Sequence, residues 1–148
     1  MEWKLKFFDQ LSVDELYKLL KVRVDVFVVE QDCPYPECDN KDRNSFHLFA
    51  EKEGEILAYA RLILPGISYP EASIGRVVVV KEYRKQGLGR ELMKRGIDFL
   101  TTELKQEQIR ISAQQHLSSS FYGALGFEVV SEPYLEDGIP HVEMLYQK

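Results

Sequence analysis

The residues from Ile74 to Leu92 constrain the fold of this chain more than any other stretch. They read Ile74-Gly75-Arg76-Val77-Val78-Val79-Val80-Lys81-Glu82-Tyr83-Arg84-Lys85-Gln86-Gly87-Leu88-Gly89-Arg90-Glu91-Leu92. A β-branched strand runs into a basic, glycine-containing turn, and the turn opens a helix. Glycine lets the backbone approach a ligand closely, and the first N–H groups of a helix have no partner within it. With the positive end of the helix dipole they form a cradle suited to a pyrophosphate. Arg84, Lys85 and Arg90 add mobile positive charge around it. A P-loop is excluded, because Gly87-Leu88-Gly89-Arg90 lacks the Lys-Ser or Lys-Thr pair. A dinucleotide fingerprint fails too, since Leu92 stands where its third glycine belongs. Read alone, Gly87-Leu88-Gly89 is equally a tight strand-to-helix turn without a ligand.

The rest of the chain alternates between two periodicities. Trp3 to Phe8 has period two and reads as a strand. Ser12 with Glu15 three places on is a capping pair, and Leu16, Leu19, Leu20 and Arg23 to Phe27 carry a helix from about residue 13 into the high twenties. Residues 32 to 45, with Pro34, Pro36 and a run of Asp and Asn, form a loop or a short broken helix. Phe46 to Glu51, Ile56 to Leu64 and Ala72 to Val80 make an antiparallel meander. Leu88, Leu92, Gly96 and Leu100 line one stripe of a second helix, ending near Leu104. Gln108 to Ala113 is a strand, His116 to Leu125 a short helix stopped by Gly126, and Phe127 to Val130 and Val142 to Tyr146 are closing strands. Residues 1–148 form one domain, with no repeat and no linker.

A chain of 148 residues, 45% hydrophobic, can bury a core without covalent staples. Its 19 basic against 24 acidic residues give a net charge of −5, which disfavours nucleic acid as a partner. No apolar run is long enough for a membrane span, and Met1-Glu2-Trp3-Lys4-Leu5-Lys6 lacks the apolar stretch of a signal peptide, so the expected location is the cytoplasm. Cys33 and Cys38 have no second pair to complete a zinc site, and no metal is expected. In a reducing compartment they are two free thiols rather than a disulfide.

The arrangement resembles the GNAT family of acyl-CoA-dependent N-acetyltransferases. Its cradle signature is matched by Arg84-Lys85-Gln86-Gly87-Leu88-Gly89, and its second signature by Phe121-Tyr122-Gly123-Ala124-Leu125-Gly126-Phe127. Three further segments resemble the ElaA branch: Val26-Phe27-Val28-Val29-Glu30-Gln31-Asp32-Cys33-Pro34-Tyr35, Ser112-Ala113-Gln114-Gln115-His116 and Glu136-Asp137-Gly138-Ile139-Pro140-His141. The resemblance covers essentially the whole chain. It implies an α/β (mixed α+β) fold with a mostly antiparallel twisted sheet of about six or seven strands, splayed at the CoA site and flanked by about four helices. The cosubstrate implied is acetyl-CoA, bound by residues 84 to 90 and by the backbone of Val77, Val78 and Val79, which would pair with pantetheine like an added strand. The valines also read as core, and both roles are compatible. The other partner implied is an amine acceptor, and a homodimer is compatible with the family although nothing in the sequence marks an interface.

Transfer to an amine needs a neutral nucleophile, a stabilised oxyanion and a proton for the departing thiolate. The resemblance places Tyr122 at the position of the acid, against the alternative of an aromatic that packs the helix onto the CoA site. A backbone N–H near Val78 is the expected oxyanion donor. Many relatives carry a Glu on the strand before the cradle, whereas Ile74 to Val80 holds only Arg76 as an ionisable residue. The base is therefore sought among Glu37, His47, His116 and His141, whose types suit proton transfer. Arg61 and Arg76, unusual within apolar strands, either form buried ion pairs or recognise an acidic acceptor; Tyr35 joins them as a candidate acceptor contact. The acidic run Glu37, Asp39, Asp42 either attracts a cationic amine or is a solvated loop. The expected activity is N-acetyl transfer to a small-molecule or protein amine. A non-catalytic acyl-CoA sensor is the alternative, and a protein-interaction domain without a ligand is a third.

Overall fold

The computed structural model describes all 148 residues. Eight strands and three helical stretches follow one another along the chain. Strand β1 (Glu2–Phe7) leads into α1 (Val13–Arg23), capped by Ser12, whose Oγ accepts from the Glu15 amide at 3.0 Å while Glu15 accepts from the Ser12 amide at 2.9 Å. The helix continues to Glu30 in wider turns, in which the amides of Gln31 and Cys33 reach back five residues to the carbonyls of Val26 and Val28. Strands β2 (Ser45–Lys52), β3 (Glu55–Ile63) and β4 (Ser73–Val79) form the meander and pair in the order β1-β2-β3-β4. Next come α2 (Leu88–Asp98), prolonged to Glu103, and β5 (Gln108–Gln114). Irregular helical turns over residues 115–125 then lead to β6 (Phe127–Val129), β7 (Tyr134–Glu136) and β8 (Ile139–Gln147). Strand β8 lies between β5 and β6 and also pairs with β7.

Period-two alternation sends successive side chains of β2 and β3 to opposite faces. Leu48, Ala58, Ala60 and Leu62 meet α2 through Leu92, Met93, Ile97 and Leu100. Phe49 and Tyr59 face the other way and meet α1 through Leu19, Val22 and Val26. Each fully buried Leu, Ile, Met, Val or Phe side chain among them contributes about 1.5–3 kcal/mol, so the two helices are bound by the strand pattern rather than by their own propensity. Gly96 permits the close approach of α2: a Cβ there would lie 3.1 Å from Leu62 and 3.3 Å from Ile74.

The resemblance implied one splayed sheet; the strands are hydrogen-bonded as two four-stranded sheets that meet at a single point. There Ala72 bridges Ile109 in parallel, and the Arg110 amide donates to the Ala72 carbonyl at 2.9 Å. Beyond that bridge β4 and β5 diverge. The sequence reading does not identify β7, because three residues are too short for a period to show. Residues 32–44 are irregular apart from one tight turn at Asp42–Asn44, since Pro34 and Pro36 lack the N–H that a helix requires, and Ser45 already belongs to β2.

Strand β4 carries a bulge. Gly75 pairs with Arg61 and Val78 with Tyr59, so three steps on β4 oppose two on β3, and Arg76 and Val77 have no partner in the register. Arg76 takes φ +51°, a left-handed conformation that costs a non-glycine residue about 1–3 kcal/mol unless its surroundings hold it.

Candidate active site

The divergence of β4 and β5 opens a cleft of about 590 Å³. One wall is β4 from Ser73 to Val79, and the other is Ile111, Ser112 and Gln114 of β5. The cradle turn enters the lining at Arg84. Gly87 takes φ +80° as the residue before α2, and the first helical bond runs from the Glu91 amide to the Gly87 carbonyl at 3.1 Å. The amides of Leu88, Gly89 and Arg90 therefore precede the helical ladder and are available to an anion. A Cβ on Gly89 would lie 3.6 Å from Val79 and 3.7 Å from Phe121, so the turn packs directly onto the strand and the 115–125 segment.

Arg84 is less mobile than its place in a basic turn suggests. Its Nε donates to the Val79 carbonyl at 2.8 Å, and its two terminal nitrogens donate to Glu30 at 2.7 and 3.0 Å. Lys85 sits in the turn at φ +63°, and Gln86 donates back to the Glu82 carbonyl at 3.3 Å.

Tyr122 lines the cleft and lies against Phe121 and Phe127 in edge-to-face contacts with centroids 4.9 and 6.2 Å apart. Burial pushes its phenol up to about 12, so the hydroxyl keeps its proton at neutral pH.

The four candidate bases separate cleanly. His47 is fully buried, with Nδ1 2.6 Å from the Tyr59 hydroxyl and Nε2 3.0 Å from the Asp42 carbonyl. Burial lowers its pKa, and it does not line the cleft. His116 is exposed and also outside the cleft. Glu37 is buried and committed to arginines, as described below. His141 alone among the three histidines lines the cleft. Its Nδ1 is 2.7 Å from the Ile139 carbonyl, an acceptor that requires Nδ1 to carry the hydrogen. Nε2 is left facing Glu136 at 3.4 Å, and the ring stacks on Tyr134 at 6.2 Å. Ser112 joins this group through the Tyr134 hydroxyl and Glu136.

Arg61 and Arg76 form ion pairs, and the acidic run is not solvated. Arg61 donates to both oxygens of Asp39 at 2.8 Å and to Asp42 at 3.0 Å. Arg76 Nε donates to Glu37 at 2.7 Å. A third cation completes the set: Arg23, fully buried at the end of α1, reaches Glu37 at 2.6 Å and Asp42 at 2.7 Å. Burial opposes ionisation of Asp39, but Arg61 outweighs it and holds the carboxyl down at about 2. Tyr35 donates to Glu37 at 3.0 Å with the Arg76 guanidinium 5.4 Å from its ring. Sequence reasoning missed Arg23 as a functional neighbour; the signal was a charged residue on the apolar stripe of a helix.

Cys33 and Cys38 are free thiols, and Cys33 donates weakly to the Asp137 carbonyl across the cleft at 3.8 Å. No helix is long and apolar enough to cross a membrane.

A splayed strand pair beside a helix-terminal anion cradle defines the acyl-CoA N-acyltransferase class of fold. The Acetyltransferase (GNAT) domain matches residues 15–148, and the chain belongs to this family. Within it the chain is ElaA-like. It is 38% identical to Protein ElaA of Escherichia coli over 146 residues, covering 97% of this chain and 95% of that protein. The crystal structure of Escherichia coli ElaA superposes with a TM-score of 0.91 at 37% identity, covering 99% of this chain and 100% of that one. An acyl-CoA N-acyltransferase from Pseudomonas aeruginosa superposes with a TM-score of 0.93 at 42% identity, over 99% of both chains. Family and fold support acyl-CoA-dependent acyl transfer.

Proposed function

We propose that this protein transfers an acetyl group from acetyl-CoA to a primary amine by direct attack. The observation that carries the reading is the cleft itself: unpaired β4 backbone, Arg84 of the cradle turn, Tyr122 and His141 all border one space, and the helix-start amides begin four residues after Arg84. The pyrophosphate fits the amides of Leu88, Gly89 and Arg90, and pantetheine fits the exposed edge of β4 as an added strand.

The amine nitrogen must be neutral to attack. With its hydrogen held on Nδ1, His141 offers the Nε2 lone pair to an ammonium proton, and Glu136 steadies the imidazolium that results. As the N–C bond forms, charge gathers on the thioester oxygen, where a backbone N–H near Val78 stabilises it. The C–S bond then breaks. A thiol titrates near about 8.5, well below the raised phenol of Tyr122, so Tyr122 steadies the thiolate mainly by donating a hydrogen bond. The leaving sulfur takes its proton finally from the amide nitrogen's surplus, relayed through solvent.

The test is calorimetric titration with acetyl-CoA, followed by free-thiol release across a panel of primary amines. Binding with amine-dependent release supports the transferase. Binding without release for any amine favours an acyl-CoA sensor, and no binding removes the cradle assignment.

A further inference from the structure

The bulge in β4 is held from outside the strand. Arg76, at φ +51°, has its Nε 2.7 Å from Glu37 and a terminal nitrogen 3.5 Å from Asp39, and its guanidinium lies over Tyr35. Glu37 in turn is buried and anchored: the same oxygen accepts from Arg23 at 2.6 and 3.0 Å, and the other accepts from Tyr35. Arg23, itself fully buried at the end of α1, is fixed by Asp42 at 2.7 Å. A chain of charge-assisted contacts thus runs from α1 through Glu37 to the one residue of β4 whose backbone is in an unfavourable region.

The bulge is also what frees the Arg76 and Val77 backbone from pairing with β3, on the wall of the cleft. Without a clamp, a non-glycine residue at position 76 gains by relaxing toward ordinary extended backbone, which would shift the pairing of every residue beyond it.

We propose that Glu37 is a positioning residue: by holding Arg76 it keeps β4 bulged, and so keeps the strand's backbone set for the pantetheine arm of an acyl-CoA. Arg76 acts through its own backbone conformation, not as a contact to the acceptor. The inference rests on the acyl-CoA reading above. A strand that is competent only a tenth of the time would weaken binding about tenfold.

Calorimetry with two probes separates the parts. Acetyl-CoA uses cradle and strand, whereas adenosine 3′-phosphate 5′-diphosphate uses the cradle alone. The native protein should bind both. Glu37→Gln should weaken acetyl-CoA about tenfold and leave the nucleotide unchanged. Because Glu37→Gln disturbs a buried charge cluster, position 76 supplies a second pair of variants. Arg76→Ala should show the same selective loss, while Arg76→Gly, whose backbone takes a positive φ without help, should restore acetyl-CoA affinity. Equal loss in Arg76→Ala and Arg76→Gly would overturn the clamp by showing that the side chain touches the ligand. Unchanged acetyl-CoA affinity in Arg76→Ala would overturn it by showing that the bulge needs no support. A native protein that binds neither probe refutes the acyl-CoA reading itself, and the clamp with it.

Discussion

Arg84 spans two elements: its Nε donates to the Val79 carbonyl at 2.8 Å, and its guanidinium grips Glu30 at the end of the first helical stretch. The cradle arginine therefore has a competing anion within the protein. Glu30 and Arg84 are both over a third exposed, so their pair is weak and screened by salt. Glu30→Gln should release Arg84 toward the pyrophosphate and tighten acetyl-CoA binding about two- to fivefold at low salt. Calorimetry at two ionic strengths checks this, and the gain should shrink as salt rises.

Gly89 could carry a side chain at ordinary contact distance, but only beside the cradle. Its absent Cβ points at Val79 and Phe121, 3.6 and 3.7 Å away, beside amides that await an anion. Gly89→Glu should place a carboxylate in that space and abolish acetyl-CoA binding, with the thermal midpoint showing that the fold survives. Unaltered affinity would remove residues 84–90 from the binding site.

For Tyr122 the expectation is a split between binding and rate. Tyr122→Phe keeps the ring against Phe121 and Phe127 and removes only the hydroxyl. Thiol release should slow by about 10²-fold, the lower end for proton-transfer and hydrogen-bond catalysis, while acetyl-CoA affinity stays within about twofold. Undiminished release would return Tyr122 to a packing role.

The buried charge cluster makes stability depend on acid. Asp39 has its folded-state pKa lowered to about 2 by Arg61 acting against burial, and Asp42 is lowered by Arg23 and Arg61 acting against the same effect. A carboxyl with a depressed folded pKa binds its proton more readily in the unfolded chain. Its contribution is present in full above the unfolded value near about 4 and is lost as pH falls through the folded one. Unfolding midpoints should therefore drop between about pH 4 and pH 2, and Asp39→Asn should flatten that dependence.

Much of the fold was legible because it rests on local periodicity. The meander, the two main helices and the Ser12–Glu15 cap each announce themselves within a few residues, and the Arg84 to Gly89 turn carries its chemistry in its own composition. The hairpin that presents His141 was half legible: Asp137-Gly138 marked its turn, but Tyr134–Glu136 is too short to register as a strand. The sequence could place His47, His116 and His141 in one group of candidates. Only the packed structure buries the first, exposes the second and sets the third in the cleft.

What the amino-acid order determined alone is the set of elements and the chemical character of the cradle, since both depend on neighbours along the chain. What tertiary structure decided is the fate of the charges. Arg23, Arg61 and Arg76 come from a helix and two strands, and Glu37, Asp39 and Asp42 from one loop, so no local pattern can say whether they face solvent, a substrate or each other. The answer depends on desolvation: once α1 and the loop close over the sheet, each cation is stable there only with a carboxylate beside it.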